Sequence, residues 1–320
     1  MASEFELIRR FFERPALGHG RTLLGVGDDA ALVRVEPGMA LAVATDMLLA
    51  GRHFPEATPP RALGHKCLAV NLSDLAAMGA TPRWATLSIA LPAADEDWLA
   101  EFSAGLFALA QRFEVDLVGG DTTRGPLAMC VAVLGEVPAE HALTRGGARP
   151  GDDIWVSGEL GLAAAALAER QGQVRLEAGA AARARARLET PEPRIALGER
   201  LRGIASAAID VSDGFAADLG HVLERSAVGA VVQLAQLPGA RTGDAALDLR
   251  CALAGGDDYE LIFTAAQDAR TTLATLGTEL GVALSRVGTI QGAPARLVLL
   301  DAQGRPVAAP GGYDHFADAP

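Results

Sequence analysis

Six times along this chain an apolar run stops at glycine, serine or threonine and delivers a carboxylate: 24–29 (LGVGDD), 43–46 (VATD), 70–74 (VNLSD), 115–123 (VDLVGGDTT), 209–214 (IDVSDG) and 253–258 (LAGGDD). Apolar runs of four to eight residues bounded by turn formers read as buried strands. Their ends therefore put acids at the edges of sheets. A lone aspartate in such a place ordinarily caps a helix or forms a turn. Repetition is what a cap does not explain. Glycine lets a backbone approach a ligand closely, and dispersed carboxylates gathered from several strands suit a hard, oxygen-loving cation. Magnesium takes one or two carboxylates and completes its shell from substrate phosphates. An EF-hand would instead crowd its acids into about 12 residues.

Composition narrows the classes. At 320 residues, half of them hydrophobic, the chain can bury two cores. Its formal net charge of −12 is opposite to the footprint of a nucleic-acid binder. Cys67, Cys130 and Cys251 are odd in number and without a CxxC, which excludes a disulfide framework or structural zinc. The start, Met1 to Phe5, does not read as a signal peptide, and no long uncharged apolar stretch is present, so a cytoplasmic protein with no membrane partner is expected. Lys66 is the sole lysine, and its helical context suggests a solvated side chain.

The pattern predicts a helix capped by Ser3 and a strand leading into Gly25–Asp29, with 30–35 continuing it. A strand is expected over 40–45, ending at Asp46. A helix opens at Pro59-Pro60 and carries Lys66 and Asp74, with Ser73-Asp74 fitting a helix start. A strand over 84–91 follows, then a helix capped by Asp95 and strands over 115–118 and 127–137. Glycine and arginine crowd 145–152, and the domain boundary is set there, between 1–147 and 148–320. The second half shows strands over 154–156, 206–210, 228–234, 259–264, 283–290 and 295–299, with helices over 161–170, 215–223, 245–253 and 266–280 between them. Residues 171–194 read as a surface helix and connector, and Ser73-Asp74 and Ser212-Asp213 as equivalent points of two related halves. Strands and helices alternate without a strict βαβ rhythm, so the class is α+β, mixed sheets covered by helices. No P-loop, Rossmann fingerprint, GxSxG or HExxH is present, so a nucleotide site must be of another kind.

These stretches occur in one order over nearly the whole chain. They are joined by 51–54 (GRHF), 143–145 (LTR), 259–261 (YEL) and 312–316 (GYDHF), and together they resemble the thiamine-monophosphate kinase family. Its parent superfamily includes aminoimidazole ribonucleotide synthetase and selenophosphate synthetase. The resemblance implies a two-domain aminoimidazole ribonucleotide synthetase-like fold and ATP-dependent conversion of thiamine monophosphate to thiamine diphosphate. It also implies a homodimer formed through the N-terminal domain. It carries several magnesium ions onto Asp29, Thr45, Asp46, Asp74, Asp121, Asp210 and Asp213. ATP contacts fall on Gly120, Asp121, Arg145 and Ser212, and substrate contacts on His53, Asp257 and Tyr313. Ala44 and Asp257 stand where the family often has serine and glutamate. No covalent or general-base residue is expected, because the acceptor is a phosphate monoester with a second pKa of about 6, already an anion at neutral pH. Sister enzymes are less apt: the first cysteine, Cys67, lies within the expected helix, and the chain ends in Asp318-Ala319-Pro320 rather than cysteine. A magnesium- and nucleotide-binding sensor is the non-enzyme alternative.

Overall fold

The computed structural model describes residues 3–294 and 296–309. The chain forms two compact units, one of residues 1–75 with 80–140, the other of 76–79 with 141–320.

The first unit opens with α1 (Glu4–Leu7), capped by Ser3 in a reciprocal capping box with Glu6, and runs on as a π-helical turn, Ile8–Phe12. A short antiparallel pair follows, β1 (Thr22–Leu24) and β2 (Leu32–Val33), so most of the strand expected over 30–35 does not form. The main sheet comprises β3 (Met39–Leu49), β4 (Thr81–Leu91), β5 (Asp116–Arg124) and β6 (Ala128–Pro138), in the order β3-β6-β4-β5. The β4–β5 pair is parallel and the others antiparallel, a mixed sheet. Two longer helices follow, α2 (Pro60–Ala77), all but its last two residues in this unit, and α3 (Glu96–Arg112). They cross at glycines: a Cβ on Gly64 would fall 2.0 Å from the Phe102 carbonyl oxygen, and one on Gly105 would fall 1.9 Å from that of Arg61. Leu68, Leu72, Leu99, Phe102 and Leu106 are buried, as are Leu87, Ile89, Met129, Val131 and Val133. Those strand residues share one face of the sheet by register.

Lys66 is not solvated: it is 1% exposed within α2. Asp74 lies in the last turn of that 18-residue helix rather than at a helix start.

The second unit is built on a seven-stranded sheet: β7 (Asp153–Ser157), β8 (Ala205–Asp210), β9 (Gly229–Gln233), β10 (Leu261–Ala265), β11 (Leu284–Gln291), β12 (Leu297–Leu300) and β13 (Pro306–Val307). Their order is β13-β12-β9-β11-β7-β10-β8, antiparallel except for β12 against β9. The helices are α4 (Leu162–Arg170), α5 (Ala178–Glu189), α6 (Ile195–Leu201), α7 (Phe215–Ser226), α8 (Ala245–Ala254) and α9 (Arg270–Leu280). Ile154, Val156, Ile209 and Ile262 meet Phe215, Leu219 and Val222 of α7 in one core. The proline-bounded α6 and the short β13 escape sequence patterning. Serine-aspartate 212–213 opens α7 whereas 73–74 closes α2, so the two points are not equivalent.

Candidate functional site

In the first unit one strand and the loop after it carry three of the expected residues. β3 holds Thr45 and Asp46, and its end is fastened to the next loop by hydrogen bonds from the His53 amide to the Leu49 carbonyl and from the Leu49 amide to His53 Nδ1, both 3.0 Å. An accepting Nδ1 puts the proton of a neutral ring on Nε2. The strand does not end at Asp46; it continues to Leu49.

Adjacent strand residues point to opposite faces, and the register separates the expected ligands. Thr45 pairs across Ala132 and Thr86 to Gly119, and the next row on that face is Met47, Cys130, Ser88 and Asp121. Thr45 and Asp121 therefore share one face. Asp46 lies on the other, where its amide donates to Asn71 Oδ1 at 2.8 Å. Asn71 is one turn before Asp74 on α2, so that helix approaches Asp46 from the Asp74 end.

The 119–123 motif lies inside β5, not beyond its end. The ladder slips between Ala85 and Thr86, opposite Leu117 to Gly119, and resumes with Gly119 beside Thr86, which sets Asp121 beside Ser88. Gly120 has φ +150°, and a Cβ there would fall 1.8 Å from the Leu87 carbonyl oxygen. The glycine is thus demanded by the neighbouring strand as well as by any ligand. Gly27 is the opposite case: φ is +124° with open space around it. A groove of about 830 Å³ joins the two motifs, with Asp28, Asp29, Gly120, Asp121 and Thr122 on its polar side and Phe5, Ile8 and Phe12 among its apolar lining.

In the second unit the acids lie in two loops laced together. The Val211 amide donates to the Glu260 carbonyl at 2.8 Å, the Tyr259 amide to that of Val211 at 2.8 Å, and the Asp257 amide to that of Ser212 at 3.0 Å. Asp257 and Tyr259 both adopt positive φ, 66° and 50°, and the Tyr259 hydroxyl donates to Asp257 Oδ1 at 2.9 Å. A Cβ on Gly256 would fall 2.4 Å from the Ser212 carbonyl oxygen. Asp210 ends β8, and Thr144, next to Arg145, is bound through its carbonyl to the Ala208 amide at 2.9 Å. Arg145 itself is exposed. Tyr313 lies outside the described residues.

Of three further acids here, Asp218 escaped the sequence reading, whereas Asp258 and Glu260 belong to the 255–261 motif read from it. Asp218, in the first turn of α7, accepts from three amides. Burial, then the nearby Asp210 carboxylate, push its pKa up to about 7. Asp258 accepts from the Gly161 amide at 2.7 Å while its other oxygen is buried without a hydrogen-bond partner, and burial raises its pKa well above the usual range. Glu260 is wholly buried; it accepts from Ser157 Oγ and Arg194 Nε, both at 2.6 Å, and pairs with Arg187 at 3.0 Å. Asp218 falls in the first turn of the helix expected over 215–223, where an acid reads as an ordinary N-terminal helix residue.

Among the described residues, no three His, Cys, Asp or Glu side chains form a ready metal cage. The donors suited to magnesium are carboxylate and hydroxyl oxygens: in the first unit Asp29, Thr45, Asp46 and Asp121, exposed on strands and a loop, with Asp74 half-buried on α2; in the second Asp213, half-buried on a loop, with Asp210 buried at a strand end. Such a set fits a cation that draws the rest of its shell from phosphate and water.

Residues 27–137 match the family model of the AIR synthase related protein N-terminal domain, and 149–299 that of its C-terminal domain. The fold is that of a two-domain AIR synthase related protein. The chain is 46% identical to thiamine-monophosphate kinase of Salmonella typhimurium, over 98% of both chains. A crystal structure of thiamine-monophosphate kinase from Stenotrophomonas maltophilia superposes with a TM-score of 0.83 at 47% identity, over 88% of this chain and 92% of that one. A structure of AaThiL complexed with AMPPCP and TMP gives 0.78 at 27%, over 98% and 96%. The chain belongs to the thiamine-monophosphate kinase family.

Proposed function

We propose that this enzyme transfers a phosphoryl group from ATP to thiamine monophosphate, giving thiamine diphosphate, by direct in-line displacement with several magnesium ions bound. The observation that carries it is the full-length similarity to a thiamine-monophosphate kinase, with the AMPPCP and TMP complex of a more distant relative in support.

Phosphoryl transfer is largely positioning plus charge neutralisation, and an anionic acceptor needs no base. In this reading Asp29, Thr45, Asp46, Asp74, Asp121, Asp210 and Asp213 hold the magnesium ions. When bound, these ions offset the repulsion between the two anionic reactants. Gly120, Asp121, Arg145 and Ser212 bind ATP. Arg145, exposed on its loop, supplies charge-assisted hydrogen bonds to phosphate. His53, Asp257 and Tyr313 hold thiamine monophosphate, with Asp257 oriented by Tyr259. Residues 1–147 form the nucleotide-binding and dimerisation domain and 148–320 the second domain.

The open face of β3 bears Leu41, Val43, Met47 and Leu49, with Val43 62% and Met47 55% exposed. A second copy of the chain covers this face in the homodimer. The reading also places the protein in the cytoplasm; no helix among the described residues is long and apolar enough to cross a membrane.

The test is an assay with ATP, magnesium and thiamine monophosphate, read by chromatography of thiamine diphosphate. Absence of product from folded, magnesium-loaded protein sinks the activity. ATP and magnesium binding without thiamine-dependent ADP release would instead identify a sensor.

A further inference from the structure

Asp218 is 3% exposed in the first turn of α7. Its Oδ2 accepts hydrogen bonds from the amides of Ser212, Asp213 and Gly214, each at 3.1 Å. Three successive amides converging on one oxygen form a nest, a concavity that commonly binds phosphate or another anion. This nest sits at the start of a 12-residue helix, whose N-terminal partial charge strengthens it. Its occupant here is the chain's own carboxylate.

Two physical consequences follow. The amides of 212–214 already have a partner, so phosphate entering there must displace a buried carboxylate. The loop is also fixed before any ligand arrives: its amides are held from α7, its Val211 amide and carbonyl by Glu260 and Tyr259, and its Ser212 carbonyl by Asp257. Besides these backbone groups the loop carries the side chains of Ser212 and Asp213, both half-buried.

We propose that Asp218 is a positioning residue that fills the amide nest of the 212–214 loop, closing it to phosphate and pre-forming it as a cation-binding element. That its ligand is magnesium with ATP rests on the function proposed above; the closing of the nest does not.

The test compares Asp218→Ala, which empties the nest, with Asp218→Asn, whose amide oxygen can take the same three donors. Thermal unfolding is followed against magnesium at fixed ATP and, separately, against inorganic phosphate without magnesium. For Asp218→Ala the expected result is a rise of about tenfold or more in the magnesium needed for half of the stabilisation, the size of losing a group that orients metal ligands. The same variant gains a phosphate-dependent rise in unfolding temperature of a few degrees, which wild type and Asp218→Asn lack. The magnesium response of Asp218→Asn stays within about threefold of wild type, as expected where its amide oxygen replaces the orienting acceptor.

A folded Asp218→Ala that matches wild type in both titrations overturns the proposal. So does a tenfold loss of magnesium response in Asp218→Asn, which decides the matter even if the alanine variant does not fold. If wild type forms no thiamine diphosphate while the phosphate pattern appears as stated, the activity falls and the role of Asp218 in closing the nest stands.

Discussion

The two units carry their acids in contrasting ways. In the first, Thr45, Asp46 and Asp121 stand on strands, exposed and divided between the faces of one sheet. In the second, Asp210 ends a strand while Ser212, Asp213 and Asp257 lie on two loops held together by backbone hydrogen bonds and by buried side chains, Asp218 and Glu260. A strand fixes side-chain direction through its ladder and needs no further support. A loop must have its amides and carbonyls satisfied one at a time. The lesson is that the supporting polar groups of the second unit are as much a part of the site as the acids it displays.

That contrast can be broken most sharply at Glu260. Arg194→Ala removes one partner of a fully buried carboxylate, a change that costs about 3 kcal/mol or more; Arg187 remains near it. Chemical denaturation should show the loss, and an unchanged midpoint would mean that the loop is held by its backbone alone. Asp121→Asn, on a strand, should behave oppositely. Turnover should fall by about a hundredfold, the size of losing one electrostatic contact to the reacting groups, with the unfolding temperature unmoved. A near-normal rate would remove Asp121 from the site.

Gly120→Ala tests whether that glycine serves packing. Overpacking against the Leu87 carbonyl should cost about 1–3 kcal/mol, read by denaturation in the absence of nucleotide. Full stability with lost ATP binding would assign the glycine to the ligand alone.

The smallest expected effect is pH-dependent. Asp258 has a raised pKa, so above the ordinary carboxylate value the native state keeps a proton that the unfolded chain has lost, and stability falls as pH rises. Asp153, buried against Arg270 and Arg286, has the reverse sign: burial works to raise its pKa, but the guanidinium hydrogen bonds outweigh it and the value is lowered. Its contribution is present at neutral pH and is lost as pH falls through the lowered value. Asp258→Asn should therefore flatten the decline in stability as pH rises above the ordinary carboxylate value of about 4 without altering the acid limb. An unchanged slope would show that Asp258 is ionised in the fold.

Much of this was legible in the sequence because it is local. Ser3 and Asp95 cap their helices as their spacing predicts. The strand expected over 84–91 lies within β4, and that over 127–137 matches β6 but for Leu127. The displaced readings share one cause. Lys66 looks solvated until an entire helix is buried around it. Asp46 and residues 119–123 look like strand ends until a neighbouring strand extends the ladder past them. Ser73-Asp74 looks like a helix start until the preceding helix runs through it.

The sequence by itself determined the α+β class, the recurring acids and the family resemblance, because periodicity and turn chemistry act over a few residues. Tertiary structure decided which acids share a face, that Gly120 answers to the Leu87 backbone, and that Asp218 fills the 212–214 nest. Each of these depends on register or on hydrogen bonds to another segment, and neither is written in the local order of side chains.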